Sequence, residues 1–240
     1  MLQINNLTVS VEGKTVVDDF STHFEEGKNY AILGKNGSGK SSLSFAVMWH
    51  PHYQIESWSI SIDGEDILEL TPDQRAKKWI FLAFQNIPEI PWVKLFEFLK
   101  LAYNSSLPEW TTPLSFIKFK KHIQPLIEKI GIEKDFLFRD LNVWFSGGEK
   151  RKIEILQLEL LQPKYIILDE VDSGLDINSL NHLGSILQSQ NREDNTFIFI
   201  SHYFKILDFV NPDEIIILEN WAEKTRWDNQ LLEEIKENWF

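Results

Sequence analysis

The chain has 240 residues, 43% hydrophobic and 25% charged, which suits one large soluble domain or a core with a small appended subdomain. Its formal charge of −12 argues against a nucleic-acid partner, and the absence of cysteine excludes disulfides, thiolate zinc sites and a cysteine nucleophile. Any iron–sulfur cluster would need ligands from another chain. No apolar run approaches the ~20 residues that span a bilayer, and Met1-Leu2-Gln3-Ile4 lacks the features of a signal peptide. A cytoplasmic protein without direct membrane insertion is expected.

The chain opens with short β segments, Leu2–Val11, Lys14–Val17, Ser21–Phe24 and Lys28–Leu33, separated by turn residues. The last is an apolar run ending in glycine, as a buried strand should. It leads into Gly34-Lys35-Asn36-Gly37-Ser38-Gly39-Lys40-Ser41, and a helix is expected from Ser42 to Met48. Strand, glycine-rich loop and helix in that order match the phosphate-binding loop pattern. Glycines let the backbone curl so that its N–H groups face phosphate oxygens, and the helix N-terminus adds positive potential. Lys40 is placed to reach the β and γ phosphates and Ser41 to ligate Mg²⁺, so ATP with Mg²⁺ is expected.

Asp63-Gly64 signals a hairpin between Ile60 and Ile67, and Ile80–Phe84 reads as a second buried strand, followed by Gln85. From Val93 to Phe138 the spacing becomes helical, interrupted by Pro108, Pro113 and Pro125. The expected organisation is a nucleotide-binding core over 1–92, an inserted, mostly helical subdomain over 93–145, and the rest of the core over 146–240. A helix then starts with Ser146 as a natural N-cap. Strands Tyr165–Leu168, Thr196–Ile200 and Glu214–Leu218 follow, with helices at Asn178–Gln188 and Asn229–Glu237. The alternation predicts an α/β fold, a mainly parallel sheet with helices on its faces beside an N-terminal antiparallel β part. Tyr165-Ile166-Ile167-Leu168-Asp169-Glu170 delivers two carboxylates to the C-terminal edge of that sheet. Asp169 is expected to hold Mg²⁺, and Glu170 to orient or deprotonate the attacking water.

Phe145-Ser146-Gly147-Gly148-Glu149 resembles the signature motif of ABC ATPases, in which the signature of one subunit meets the γ-phosphate held by another. The resemblance implies nucleotide contacts from Ser146, Gly147 and Gly148 and ATP-dependent closure of a homodimer. Asp172-Ser173-Gly174-Leu175-Asp176 is similar to the family's D-loop, which adds Asp176 to the nucleotide site. By the same resemblance Gln85 contacts Mg²⁺ and the attacking water, and His202 is the switch histidine on the γ-phosphate. The aromatic side chain that usually stacks on adenine is missing near Val11, so base contact is expected to be apolar and weak.

Further stretches narrow the resemblance. Phe81–Pro91 (FLAFQNIPEIP), Glu154-Ile155-Leu156-Gln157, Asp172–Ile177 and Ser201-His202-Tyr203 closely resemble SufC, the ATPase family of the Suf iron–sulfur cluster assembly system. That resemblance implies SufB- and SufD-type scaffold partners, docked on the segment Asn86–Tyr103, with Ile87, Ile90, Val93, Leu95, Phe96, Glu89 and Glu97 as the surface. The alternative is the energy subunit of a membrane transporter; a nucleotide-gated DNA clamp is disfavoured by the charge.

One compositional oddity remains. Nine tryptophans are many and 11 glycines few, and adding the first to the second brings the total near the ~7% glycine usual for proteins. Trp49, Trp58, Trp79, Trp92, Trp144, Trp221, Trp227 and Trp239 fall where the resembled family tends to carry glycine. Asn220-Trp221 stands where a hairpin calls for Asn-Gly. A UGA codon, read as tryptophan in one genetic code and glycine in another, would produce this pattern.

Overall fold

A computed structural model describes residues 1–56, 59–171, 184, 193–202 and 211–228. Contacts divide the chain into two compact units, Met1–Gln85 with Lys164–Phe240, and Asn86–Pro163.

The first unit holds two sheets. In the antiparallel one, β1 (Leu2–Val11) pairs with β2 (Lys14–Phe24), and β4 (Gln54–Glu56) and β5 (Ser59–Ile62) also pair with β1. β6 (Glu65–Asp66) extends β5 through the Asp63-Gly64 turn. Leu2, Ile4, Leu7 and Val9 bury against Val17, Phe20 and Phe24. The two strands expected at Lys14–Val17 and Ser21–Phe24 are one. The polar break between them is absorbed by register shifts against β1, with Asp19 at φ 46°. An irregular residue bends a strand without ending it.

The second sheet has the order β13-β12-β3-β11-β10-β7. β3 (Tyr30–Leu33), β7 (Ile80–Ala83), β10 (Tyr165–Asp169), β11 (Thr196–Ser201) and β12 (Glu214–Glu219) run parallel, and β13 (Ala222–Asp228) closes the edge antiparallel. Tyr165, Ile167, Ile198, Ile200, Tyr30 and Ile32 are buried in the core cluster that this unit shares with its antiparallel sheet. Near-continuous apolar runs are what a sheet covered on both faces requires.

Helix α1 (Lys40–Val47) follows β3, and a short helix α2 (Pro72–Lys77) precedes β7. Six residues are too few for periodicity to reveal α2, although Thr71 and Gln74 form a capping box with proline in the first turn. The reward for α2 is Arg75, fully buried, whose guanidinium donates to the carbonyls of Ala46 (3.2 Å) and Val47 (2.6 Å) at the end of α1. It also donates to Leu68 (2.6 Å) and Leu70 (3.0 Å), so a buried charge is satisfied by four backbone oxygens.

In the second unit, β8 (Ile90–Lys94) pairs with β9 (Asp140–Leu141), and helices α3 (Leu95–Ser106), α4 (Phe116–Ile130) and α5 (Gly147–Leu161) share a core. Pro125 does not interrupt the helical pattern as expected; it lies inside α4. Phe119, Ile123 and Ile127, spaced by four, are all buried there, and that packing outweighs the lost N–H of one proline. The expected insert 93–145 falls within this unit, and so does α5. The D-loop segment with Asp176 and the helices expected at 178–188 and 229–237 lie outside the described residues, residue 184 apart. Among the described residues, no helix is long and apolar enough to cross a membrane.

Candidate functional site

The parallel register sets neighbouring strand ends at one edge. Ser201 pairs with Leu33, Asp169 with Ile200, and Leu168 with Ala83. Past those ends lie the Gly34–Ser41 loop, Asp169-Glu170, His202 and Gln85. A cleft of about 310 Å³ opens there, lined by Asn36, Gly37, Gly39, Lys40, Ser41, Ser42, Gln85 and Glu170. Ligands of open α/β sheets bind at this edge.

The loop is shaped by close approach. A Cβ at Gly34 would collide with the carbonyl oxygen of Leu218. One at Gly39 would collide with that of Val16, and Gly39 sits at φ 99° before α1. Lys35, Asn36 and Gly37 are exposed, whereas Ser38 and Lys40 are buried. Lys40 Nζ donates to the carbonyls of Gly34 (2.8 Å) and Lys35 (3.0 Å), which curls the loop around the ammonium. Burial holds its pKa below the ordinary lysine value, while Glu170 and Asp169 pull it back up.

The carboxylates differ in setting. Asp169 is almost wholly buried, and burial pushes its pKa up to about 6 although hydrogen bonds from Ser41 and Ser44 act in the opposite direction. Ser41 Oγ donates to Asp169 Oδ1 (3.1 Å). Ser44 Oγ lies 3.2 Å from Asp169 Oδ2 and 2.8 Å from the Ser41 carbonyl, so its one proton serves both. Glu170 accepts from Gln85 Nε2 (2.7 Å) at Oε2, and His202 Nδ1 lies 3.3 Å from Oε1. Its backbone is left-handed at φ 46°, a conformation tolerated where surrounding structure over-determines it. The Glu170 N–H donating to the Ile200 carbonyl (2.8 Å) is part of that restraint.

A glycine-rich loop leading into a helix start, a buried lysine, and a hydroxyl against a buried carboxylate form a donor set that fits a nucleotide phosphate with a hard divalent cation. Ser146, Gly147 and Gly148 are exposed at the start of α5 in the second unit. There Ser146 accepts from the Glu149 N–H (3.3 Å) and the Glu149 carboxylate accepts from the Ser146 N–H (2.7 Å). The structure thus brings together Lys40, Ser41, Gln85, Asp169, Glu170 and His202, and adds Ser44, which sequence reasoning missed. Ser44 lies three residues after Ser41, one helical turn on, and that spacing was the available signal.

The segment Asn86–Tyr103 divides. Leu95 and Phe96 are buried in the helical core and do not belong to a surface, whereas Ile90, Val93, Glu89 and Glu97 are exposed and Ile87 is half-buried.

A family model described as ABC transporter matches residues 17–173. The chain is 40% identical over 223 residues to the probable ATP-dependent transporter ycf16 of Antithamnion sp., covering 91% of this chain and 88% of that one. It is 40% identical over 219 residues to the probable ATP-dependent transporter slr0075 of Synechocystis sp., covering 91% and 86%. Among solved structures, the post-hydrolysis dimer of the ATP-binding cassette MJ0796, bound to ADP and Pi, superposes with a TM-score of 0.78 at 20% identity, a likeness of fold. It covers 95% of this chain and 99% of that one. With a model matched over more than half its length and relatives at this identity, the chain belongs to the ABC transporter family of ATP-binding cassettes and is an ATPase that takes ATP with Mg²⁺.

Proposed function

We propose that this cassette is a SufC-type ATPase that drives rearrangement of SufB/SufD-type scaffolds during iron–sulfur cluster assembly. The observation that carries the reading is the run Phe81–Pro91 with Glu154–Gln157 and Ser201–Tyr203, which resembles that family more closely than the shared ATPase motifs require. A cysteine-free chain fits a motor whose partner supplies the thiolates. The exposed Ile90, Val93, Glu89 and Glu97 of the segment after Gln85 would meet the scaffold. The relatives' names, both ATP-dependent transporters, favour the second reading, an energy subunit docked on a permease.

In either reading the residues divide the chemistry alike. Lys40 and the amides of Gly34–Ser42 bind the phosphates, and Mg²⁺, held by Ser41, Gln85 and Asp169, would neutralise charge developing on them. Gln85 donates through its amide nitrogen to Glu170, which keeps its carbonyl oxygen available as a ligand. Glu170 orients and deprotonates the water that attacks the γ-phosphorus as the bond to the bridging oxygen breaks, and His202 steadies the γ-phosphate. Ser146, Gly147 and Gly148 of a second copy close over the same phosphate, and Asp176 joins the nucleotide contacts, as the resemblance implies.

Ser44→Ala is expected to raise the Mg²⁺ concentration giving half-maximal turnover by roughly 10–100-fold, the cost of one hydrogen bond to a charged group. Ser44→Thr should restore it. A lowered thermal midpoint with unchanged Mg²⁺ dependence would reduce Ser44 to a structural role.

The isolated chain is expected to be monomeric and a poor ATPase, dimerising when MgATP is added to the Glu170→Gln variant and capturing SufB/SufD-like proteins on pull-down. Sedimentation with and without nucleotide reads the first part, and identification of the captured partner reads the second. A constitutive dimer without nucleotide contradicts the closure model. Capture of a polytopic permease selects the transporter reading.

A further inference from the structure

We infer that residues 49, 79, 92, 144 and 221 are glycine in the protein as its source organism makes it. Among the described residues, tryptophan is the commonest non-glycine residue at left-handed φ, with Trp49 at 56°, Trp79 at 69°, Trp92 at 68°, Trp144 at 61° and Trp221 at 70°. These are five of the seven tryptophans whose backbone is described. Left-handed backbone is routine for glycine and occasional for Asn and Asp, because their side chains avoid or repay the Cβ clash. For a bulky residue it is an outlier.

The positions are those where local geometry asks for glycine. Three two-residue hairpin turns here have both central residues at positive φ: Glu12-Gly13 (50°, 76°), Asp63-Gly64 (52°, 83°) and Asn220-Trp221 (52°, 70°). Two of the three carry glycine second, as this turn type prefers, and the third carries tryptophan. At the end of α1, Trp49 N–H donates to the Ala46 carbonyl and His50 N–H to that of Phe45, both at 2.9 Å. Those two bonds make a Schellman motif whose left-handed residue, normally glycine, is Trp49. Trp79 holds the equivalent place after α2, donating to Ala76 (3.0 Å). The turn at the end of α4 has Gly131 at 72°.

The indoles make little use of their size. Trp92 is 90% exposed and Trp144 86% exposed, and Trp79 and Trp221 are exposed by nearly half. Tryptophan is ordinarily among the more buried side chains. Trp49 is the exception, half-buried with the Arg75 guanidinium 5.0 Å over its ring. Trp110 is also exposed but has ordinary φ, so the backbone assigns it nothing. Two positions bear on the nucleotide site. Residue 144 stands two before Ser146, and Trp221 Nε1 donates to the Gly37 carbonyl of the phosphate loop (3.1 Å), a contact that glycine removes. The cause that fits five such substitutions in one chain is a single codon, UGA, read as glycine in the cell and as tryptophan in translation by another code.

Peptide sequencing by mass spectrometry of the protein from its source, beside the gene, tests this. Glycine at the five positions and UGA codons are expected; tryptophan-bearing peptides or UGG codons overturn the inference. In protein expressed with tryptophan throughout, Trp79→Gly, Trp92→Gly, Trp144→Gly and Trp221→Gly are each expected to raise the thermal midpoint by about 2–4 °C, while Trp110→Gly does not. Midpoints unchanged or lowered across the four would remove the strain on which the inference rests.

Discussion

Replacing Lys40 with alanine is expected to raise the dissociation constant for MgATP by roughly 10²–10³-fold. The side chain is buried at the foot of the phosphate loop, and among the described residues the carboxylates of Glu170 and Asp169 act on its charge. Its present partners are two neutral carbonyls, those of Gly34 and Lys35, so the ammonium is available to a stronger acceptor. Phosphate oxygens in that cradle gain a charge-assisted bond in a partly desolvated setting, where it is worth more than in water. Alanine removes the charge and its two bonds to the loop carbonyls, while the close backbone approaches at Gly34 and Gly39 do not depend on the side chain. Equilibrium binding with a fluorescent nucleotide measures the change. Affinity equal to wild type would mean that the loop amides alone hold the phosphates.

Glu170→Gln is expected to leave MgATP affinity within a few-fold of wild type while turnover falls by roughly 10²–10⁴-fold, the usual contribution of a positioned general base. Glutamine has nearly the shape of glutamate, and its carbonyl oxygen still accepts from Gln85 Nε2. What it lacks is the negative charge that takes or orients a proton of water. Binding is spared because the phosphates are held by other groups, so the two variants separate binding from chemistry. Single-turnover hydrolysis and binding, measured on the same preparation, check both halves. Near-normal turnover would move the base role to another group, with His202, 3.3 Å from the same carboxylate, the first to examine.

Much of this was legible in the chain because it is local. The glycine-rich loop is eight consecutive residues between an apolar run and a helix, so the roles expected of it rest on its neighbours. The carboxylate pair ends a five-residue buried strand, and Ser146 caps its helix as expected, within a capping box to Glu149. Even the tryptophan anomaly shows in composition, since a turn that requires glycine announces its absence. The resemblance to known families supplied roles for Gln85 and His202 that no spacing could give, because isolated residues carry no pattern.

Tertiary structure decided what depends on pairing between distant segments. Parallel register set the ends of β3, β7, β10 and β11 side by side, bringing Lys40, Gln85, Glu170 and His202 from across the sequence into one site. The same packing chose Leu95 and Phe96 for a core and left Ile90 and Val93 exposed, a choice that an apolar segment cannot declare by itself. It kept Pro125 inside a helix, placed Ser44 against Asp169, and buried Arg75 among carbonyls. Each of these is settled by what lies opposite a side chain in space. Sequence periodicity reports which face of an element is apolar, while the neighbour that meets that face is fixed only when the whole sheet is assembled.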